Sequence, residues 1–287
     1  MFTKISKLFH YGRNITTFFR KRIFWTVVDD FIALNKISRY KYIWKSLDAV
    51  NFQKAENIIW VCWFQGLENA PFIVKQCIAS IKRHAGGRKV VVITEQNLAD
   101  YVTFPSFILR LREKGKISNA HYSDLLRLEL LIKYGGIWID ATCYLTDSII
   151  SYNGIFMYQT GRVSSNTIIC ASSWFISVTE TNNEILRKTK ALLYEYWKNN
   201  ENLIHYFLFH LALSFVIQSS NTCKKQWDDM VYEPNINPHL LQFELLKEYD
   251  ENRFSRLKQL SSIHKLTYEL PFEKSNGNSF YDIIFKQ

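Results

Sequence analysis

Cysteine is scarce in this sequence: five residues in 287, at Cys62, Cys77, Cys143, Cys170 and Cys223. They are odd in number, widely spaced and include no C-x-x-C pair, so neither a disulfide framework nor a zinc site is indicated. Reduced, buried thiols are expected. No secretory leader is expected either, because the N-terminus has no uninterrupted apolar stretch followed by a small-residue cleavage site. Action on the cytoplasmic side is therefore expected. No apolar run reaches the roughly 20 residues that cross a bilayer. Asn202–Cys223 (NLIHYFLFHLALSFVIQSSNTC) carries no Lys, Arg, Asp or Glu, yet its apolar part starts at Leu203, ends at Val216 or Ile217 and contains His205 and His210. A buried core helix is expected there. The two histidines do not share a helical face, which argues against a common metal site.

Acidic side chains are the other deficit. Lys and Arg number 36 against 26 Asp and Glu, for a net charge of +10, and no acidic residue precedes Asp29. Lys4, Lys7, Arg13, Arg20, Lys21 and Arg22 stand before it, interleaved with Phe2, Ile5, Leu8, Phe9, Phe18, Phe19, Ile23, Phe24 and Trp25. A basic, aromatic segment of this kind suits the headgroup region of an anionic membrane; a helical extension with a solvated basic face is the plainer alternative. Nucleic acid is a third reading, but no DNA- or RNA-binding motif accompanies the charge and no nucleic-acid partner is expected.

What is present is apolar. At 47% hydrophobic content the chain is long enough to bury a large core, which excludes a disordered protein. The first 50 residues read as a helical extension, with apolar positions at three- and four-residue spacing and no Gly or Pro after Gly12. Residues 51–287 read as one domain. Its opening run, NIIWVCWFQG (Asn57–Gly66), suits a buried strand closed by a loop. A helix follows from about Pro71 to His84, and KVVVIT (Lys89–Thr94) is a strand apolar throughout, as in a parallel sheet covered on both faces. Strand, helix, strand in that order implies an α/β fold with parallel strands. Further on, Ile168–Val178 is strand-like and Asn183–Trp197 helical.

The chemistry concentrates in SNAHYSDLLRLELLIKYGGIWIDAT, Ser118–Thr142. Ser123 or Ser118 can cap a helix that Gly135 stops. Asp124 and Arg127 fall three apart and share a face, where a surface ion pair of little energetic worth is the ordinary outcome. GGIWID is then a tight turn into a strand that delivers Asp140 at its carboxyl end, where open α/β sheets bind ligands.

The combination S-D-x-x-R, a leucine run, Y-G-G and I-W-I-D-A-T resembles the capsular polysaccharide synthesis family of bacterial glycosyltransferases, relatives of the retaining GT-A sugar transferases. IWVCWFQGLENAPFIVKQCIASIKRH, VVVITEQNLADYV, WFISVTETNNEIL and IHKLTYE are similar to that family in the same order, so the resemblance spans about Ile58 to Glu269. It implies a GT-A-like, Rossmann-type sheet with helices on both faces. Asp124 and Arg127 match the pair that contacts the ribose and sugar of a nucleotide-sugar donor, and Asp140 matches the first aspartate of D-x-D, which holds the donor and a divalent cation. These three are the expected catalytic residues. The second aspartate is replaced by Thr142, a poorer ligand for Mn²⁺ or Mg²⁺ than a carboxylate. His264 and Lys265 resemble the late histidine and lysine that contact metal and diphosphate. The implied metal set is thus Asp140, Thr142 and His264, with Lys265 on the diphosphate. Trp63, Gln65 and Gly66, after the first strand, are placed to stack on and hydrogen-bond the base, although Trp60 and Trp63 suit a core equally well.

The expectation is a hexosyltransferase using a nucleotide sugar, UDP-linked for preference. It would build a capsular or surface polysaccharide on a lipid-linked acceptor, held peripherally at the inner face of the membrane. The alternative is a membrane-associated binding or scaffold protein of the same fold that has lost catalysis, which Thr142 favours.

Overall fold

The structure, a computed structural model, describes residues 27–160, 168–275 and 277–286. The basic segment before Val27 lies outside them. The described chain opens with α1 (Val27–Ser38) and a 3-10 helix (Arg39–Ser46), then runs β1 (Ile58–Cys62), α2 (Phe72–Arg83), β2 (Lys89–Ile93), α3 (Leu98–Tyr101), α4 (Ser106–Glu113), α5 (Asn119–Lys133) and β3 (Gly136–Ile139). The second half carries β4 (Cys143–Leu145), β5 (Ile155–Gln159), β6 (Ala171–Val178), α6 (Glu184–Asn199), α7 (Leu208–Ser219), α8 (Asn221–Asp228), α9 (Ile236–His239), α10 (Glu251–Leu260), β7 (Ile263–Lys265) and α11 (Phe280–Phe285).

Among the described residues the main sheet has the order β2-β1-β3-β6-β5, with β2, β1 and β3 parallel and β6 and β5 returning antiparallel. Side chains alternate across a strand, so the sheet separates two cores. Ile58 and Trp60 of β1 join the core made with α5, α6 and α7, whereas Ile59 and Val61 join the one made with α2, α10 and α11. Helices therefore cover both faces, as expected. The strand expected to be buried on both faces, β2, is instead the edge of the sheet, with Lys89 exposed and Val90 and Val92 only partly covered.

The apolar stretch after Asn202 does form a core helix. In α7, Leu211, Ala212, Leu213 and Val216 are fully buried, each large side chain contributing about 1.5–3 kcal/mol by leaving water. No described helix is long and apolar enough to cross a membrane. The helix α1 packs on this layer through Ala33 and Ile37 and turns Val28, Phe31 and Ile32 outward, each more than half exposed.

Of the two serines able to cap α5, Ser118 is the cap, accepting the His121 N–H. The Gly pair that follows α5 is a steric requirement. Gly135 and Gly136 adopt φ of +69° and +87°, and a Cβ on Gly136 would lie 2.6 Å from the Ile58 carbonyl oxygen of β1. Only glycine admits that approach, so the turn brings β3 flush against β1 and fixes where its carboxyl end emerges.

Candidate active site

The carboxyl ends of β1 and β3 and the start of β6 open on a cleft of about 470 Å³. Parallel pairing of β1 with β3 puts Trp63 and Asp140, the residues just past each strand, at the same end of the sheet. Asp140 is anchored through its backbone, its N–H donating to the Trp174 carbonyl at 2.8 Å. Its carboxylate meets a cation on each oxygen. Oδ1 accepts from Trp138 Nε1 at 3.0 Å and lies 3.5 Å from Arg127 Nη2, and Oδ2 lies 3.5 Å from Lys265 Nζ.

Arg127 connects this carboxylate to α5. It is 3% exposed, pairs with Asp124 at 3.0 Å, and donates to the Ser173 carbonyl at 2.9 Å and to Ser123 Oγ at 3.3 Å. Its guanidinium packs over the Trp138 and Phe209 rings, at 4.9 and 5.5 Å from their centroids. The pair expected to touch a donor thus stands behind Asp140. Ser123, one residue earlier on α5, lines the cleft, while Asp124 and Arg127 do not. The helical spacing that unites them also turns them inward. Burial raises the Asp124 carboxyl above its ordinary value, with Arg127 opposing.

The strands β4 and β7 form a separate antiparallel pair with Cys143 opposite Lys265 and Tyr144 opposite His264. Adjacent residues of a strand face opposite ways, and this decides between the two expected ligands. Lys265 enters the cleft and donates to Thr142 Oγ1. His264 turns away: it is fully buried, outside the cleft lining, with Nε2 3.4 Å from Thr146 Oγ1 and Nδ1 without a hydrogen-bond partner among the described residues. Burial lowers its titration to about 4, so it is held neutral.

That arrangement does not fit the implied divalent ion. Asp140 already faces two cations, Thr142 accepts from the Lys265 ammonium, and His264 is on the far side of its strand. No group of three or more His, Cys, Asp or Glu able to hold a metal occurs among the described residues.

Trp63 and Gln65 line the cleft, and Gly66 does not; with φ +83° it makes the turn that closes on the Trp63 carbonyl. Trp63 Nε1 is buried without a partner among the described residues, and its ring meets Tyr268 edge-on at 5.5 Å. The thiol of Cys62, also in the lining, is pushed up by burial and is a poor nucleophile. Sequence reasoning did not reach the opposite wall. There Trp174 stacks on Tyr158 at 4.6 Å, donates Nε1 to Asn235 Oδ1 at 2.8 Å and meets the His239 ring edge-on. The order β3-β6 brings that wall to the site, and pairing order is not written in any one segment.

Residues 19–284 match the family described as capsular polysaccharide synthesis protein. Two curated proteins are similar over shorter stretches. The O-glycosyltransferase braB of Annulohypoxylon truncatum is 33% identical over 96 residues, 30% of this chain and 23% of that protein. The O-glycosyltransferase PaGT of Phomopsis amygdali is 30% identical over 104 residues, 33% of this chain and 26% of that protein. The matches thus span about a quarter of these relatives' lengths, and both relatives are fungal, so they bring no bacterial source with them. Among solved structures, the PaToxG glycosyltransferase aligns with a TM-score of 0.40 at 16% identity over 84% of this chain and 95% of that one, too distant to argue from. The family match takes in almost all of the described sequence, and on it the chain belongs to the capsular polysaccharide synthesis protein family.

Proposed function

We propose that this protein is a glycosyltransferase that moves a hexosyl group from a nucleotide sugar, with UDP the preferred carrier, to a lipid-linked capsular or surface polysaccharide. Family membership and the O-glycosyltransferase names of the relatives support the reaction class. The carrying observation is the chain Asp124–Arg127–Asp140–Lys265, which ends in a cleft at the carboxyl ends of parallel strands. A GT-A-like donor site occupies that position, with Trp63 and Gln65 beside the base. In the transfer the donor C–O bond breaks with its electron pair leaving on the diphosphate. The acceptor hydroxyl oxygen bonds to the anomeric carbon, and nucleoside diphosphate and a proton are released. Positive charge develops at carbon and negative charge on the leaving phosphate, so a carboxylate beside the sugar and an ammonium beside the diphosphate both lower the barrier. Asp140 and Lys265 are those groups, and Arg127 and Asp124 position them. The aromatic wall at Trp174 suits a sugar ring of the acceptor. The outward face of α1, following six cations in sequence, supports peripheral contact with an anionic membrane at the cytoplasmic side.

Asp140→Asn tests the reading. Asparagine keeps an acceptor for Trp138 Nε1 and removes the charge, so release of sugar from UDP- and GDP-sugars should fall at least a hundredfold while the melting temperature moves by only a few degrees. Wild-type turnover in the variant would remove Asp140 from the chemistry, and absence of turnover in the folded wild type with every donor would favour the binding or scaffold reading.

A further inference from the structure

We propose that the Lys265 ammonium is the built-in cation of this site, bridging residues 140 and 142 and binding the donor diphosphate without a bound divalent ion. The inference rests on the donor reading above and departs from the metal that the family likeness implies. Three observations lead to it. Position 142 offers a neutral hydroxyl, so the segment supplies one carboxylate where a bridged ion needs more negative charge to offset its dehydration. The register of β4 on β7 then brings a cation to that spot: Cys143 pairs with Lys265, and the Leu266 N–H donates to the Thr142 carbonyl at 2.9 Å. Finally, the ammonium donates to Thr142 Oγ1 and lies 3.5 Å from Asp140 Oδ2, which places it in the notch between the two side chains. A divalent ion in that notch would face the ammonium directly, and like charges at such a distance repel strongly in a partly dry cleft.

The geometry also leaves the ammonium free to act on a ligand. Lys265 has three donors; two point at Thr142 and Asp140, and its side chain remains 18% exposed. Among the described residues it is the one Lys or Arg in the cleft lining, so an anion entering the cleft meets its charge there. A diphosphate is the matching chemistry: a polyanion that one fixed point charge can orient while Asp140 stays turned to the sugar. Asp140 in this account holds the lysine in register as well as serving the transferred group.

Calorimetric titration of UDP, GDP and dTDP into the full chain, in EDTA and in Mn²⁺, tests the assignment alongside Lys265→Met and Lys265→Arg, each checked by its melting curve. The wild type should bind its nucleotide within threefold of the same affinity in both buffers. In EDTA, Lys265→Met should weaken binding tenfold or more, and Lys265→Arg, which keeps the charge, should retain most of it. Binding by the wild type only in Mn²⁺, or full-strength binding by Lys265→Met in EDTA, overturns the inference and leaves the donor reading intact. No binding of any of the three nucleotides to folded wild type in either buffer overturns the donor reading and this inference with it.

Discussion

Arg127 shows how far a single residue can be read from its sequence position. Its pairing with Asp124 three residues earlier was legible, and so was the proximity of Asp140 to the end of a strand. Their energetic standing was not. At the surface such a pair contributes at most about 1 kcal/mol, but here both partners are withdrawn from water, with side-chain exposures of 4% and 15%. Removing one partner therefore strands a charge. Arg127→Met should lower stability by about 3–5 kcal/mol, and Asp124→Asn in the same chain should restore part of it, because the remaining acid no longer needs the guanidinium. Denaturant unfolding of the two single variants and the double variant measures the coupling. Strict additivity would mean that the two side chains act independently. His264 shows a signal that was available and not used: it adjoins Lys265 on one strand, and alternation allows only one of two neighbours to face the cleft.

At the scale of elements, the parts with strong local signals were legible: the apolar run of β1, the helix opened by Pro71, the capped α5 and its Gly stop. What escaped were β4 and β5. The three residues of Cys143–Leu145 have too little pattern to register, and Ile155–Gln159 is buried throughout, so it shows no alternation to separate it from any other apolar run. The strand β6 that carries Trp174 was legible, but its antiparallel pairing with β3 and β5 was not, and the Trp174 wall stayed unread for that reason. The helix α1 is the element whose role reaches furthest outside the fold. Ala33 and Ile37 hold it to the core, while Val28, Phe31 and Ile32, spaced three and four apart, form one exposed apolar stripe. Seating that stripe among lipid headgroups would contribute a few kcal/mol, about a tenfold or larger change in partitioning. Co-sedimentation with phosphatidylserine-containing vesicles should thus fall about tenfold in Val28→Ser/Phe31→Ser/Ile32→Ser. High salt should weaken the wild type further by screening the basic segment. Undiminished binding by the triple variant would assign membrane contact to another surface, and no co-sedimentation of the wild type would remove it altogether.

Across the whole molecule, burial sets how stability responds to pH. His205, His239 and His264 are buried, at 0%, 8% and 0% exposed, and burial lowers each from 6.5 to about 4. His239 Nδ1 also donates to the Asn235 carbonyl oxygen at 2.7 Å, which raises it, and Lys265 nearby lowers it. Between pH 6.5 and about 4 the unfolded chain protonates these imidazoles and the native chain does not, so the unfolded state binds more protons and stability falls as pH falls. The contribution is fully present above 6.5 and is lost progressively down to about 4, on the order of 3 kcal/mol for each histidine at the end of that window. Asp124 acts in the opposite direction, since its raised carboxyl takes up a proton in the native state first, but that occurs at the acid end. A net charge of +10 that grows on acidification adds self-repulsion of the same sign as the histidines. Melting curves at pH 7.5 and 5.0 should therefore show a clear drop at the lower pH, and His264→Asn, which cannot take up the proton, should flatten the slope by about a third whatever it does to stability at pH 7.5. A wild-type melting temperature that stays level between those two values would mean that the imidazoles take up protons as readily in the fold as in the unfolded chain, and that His264 is not held neutral by burial.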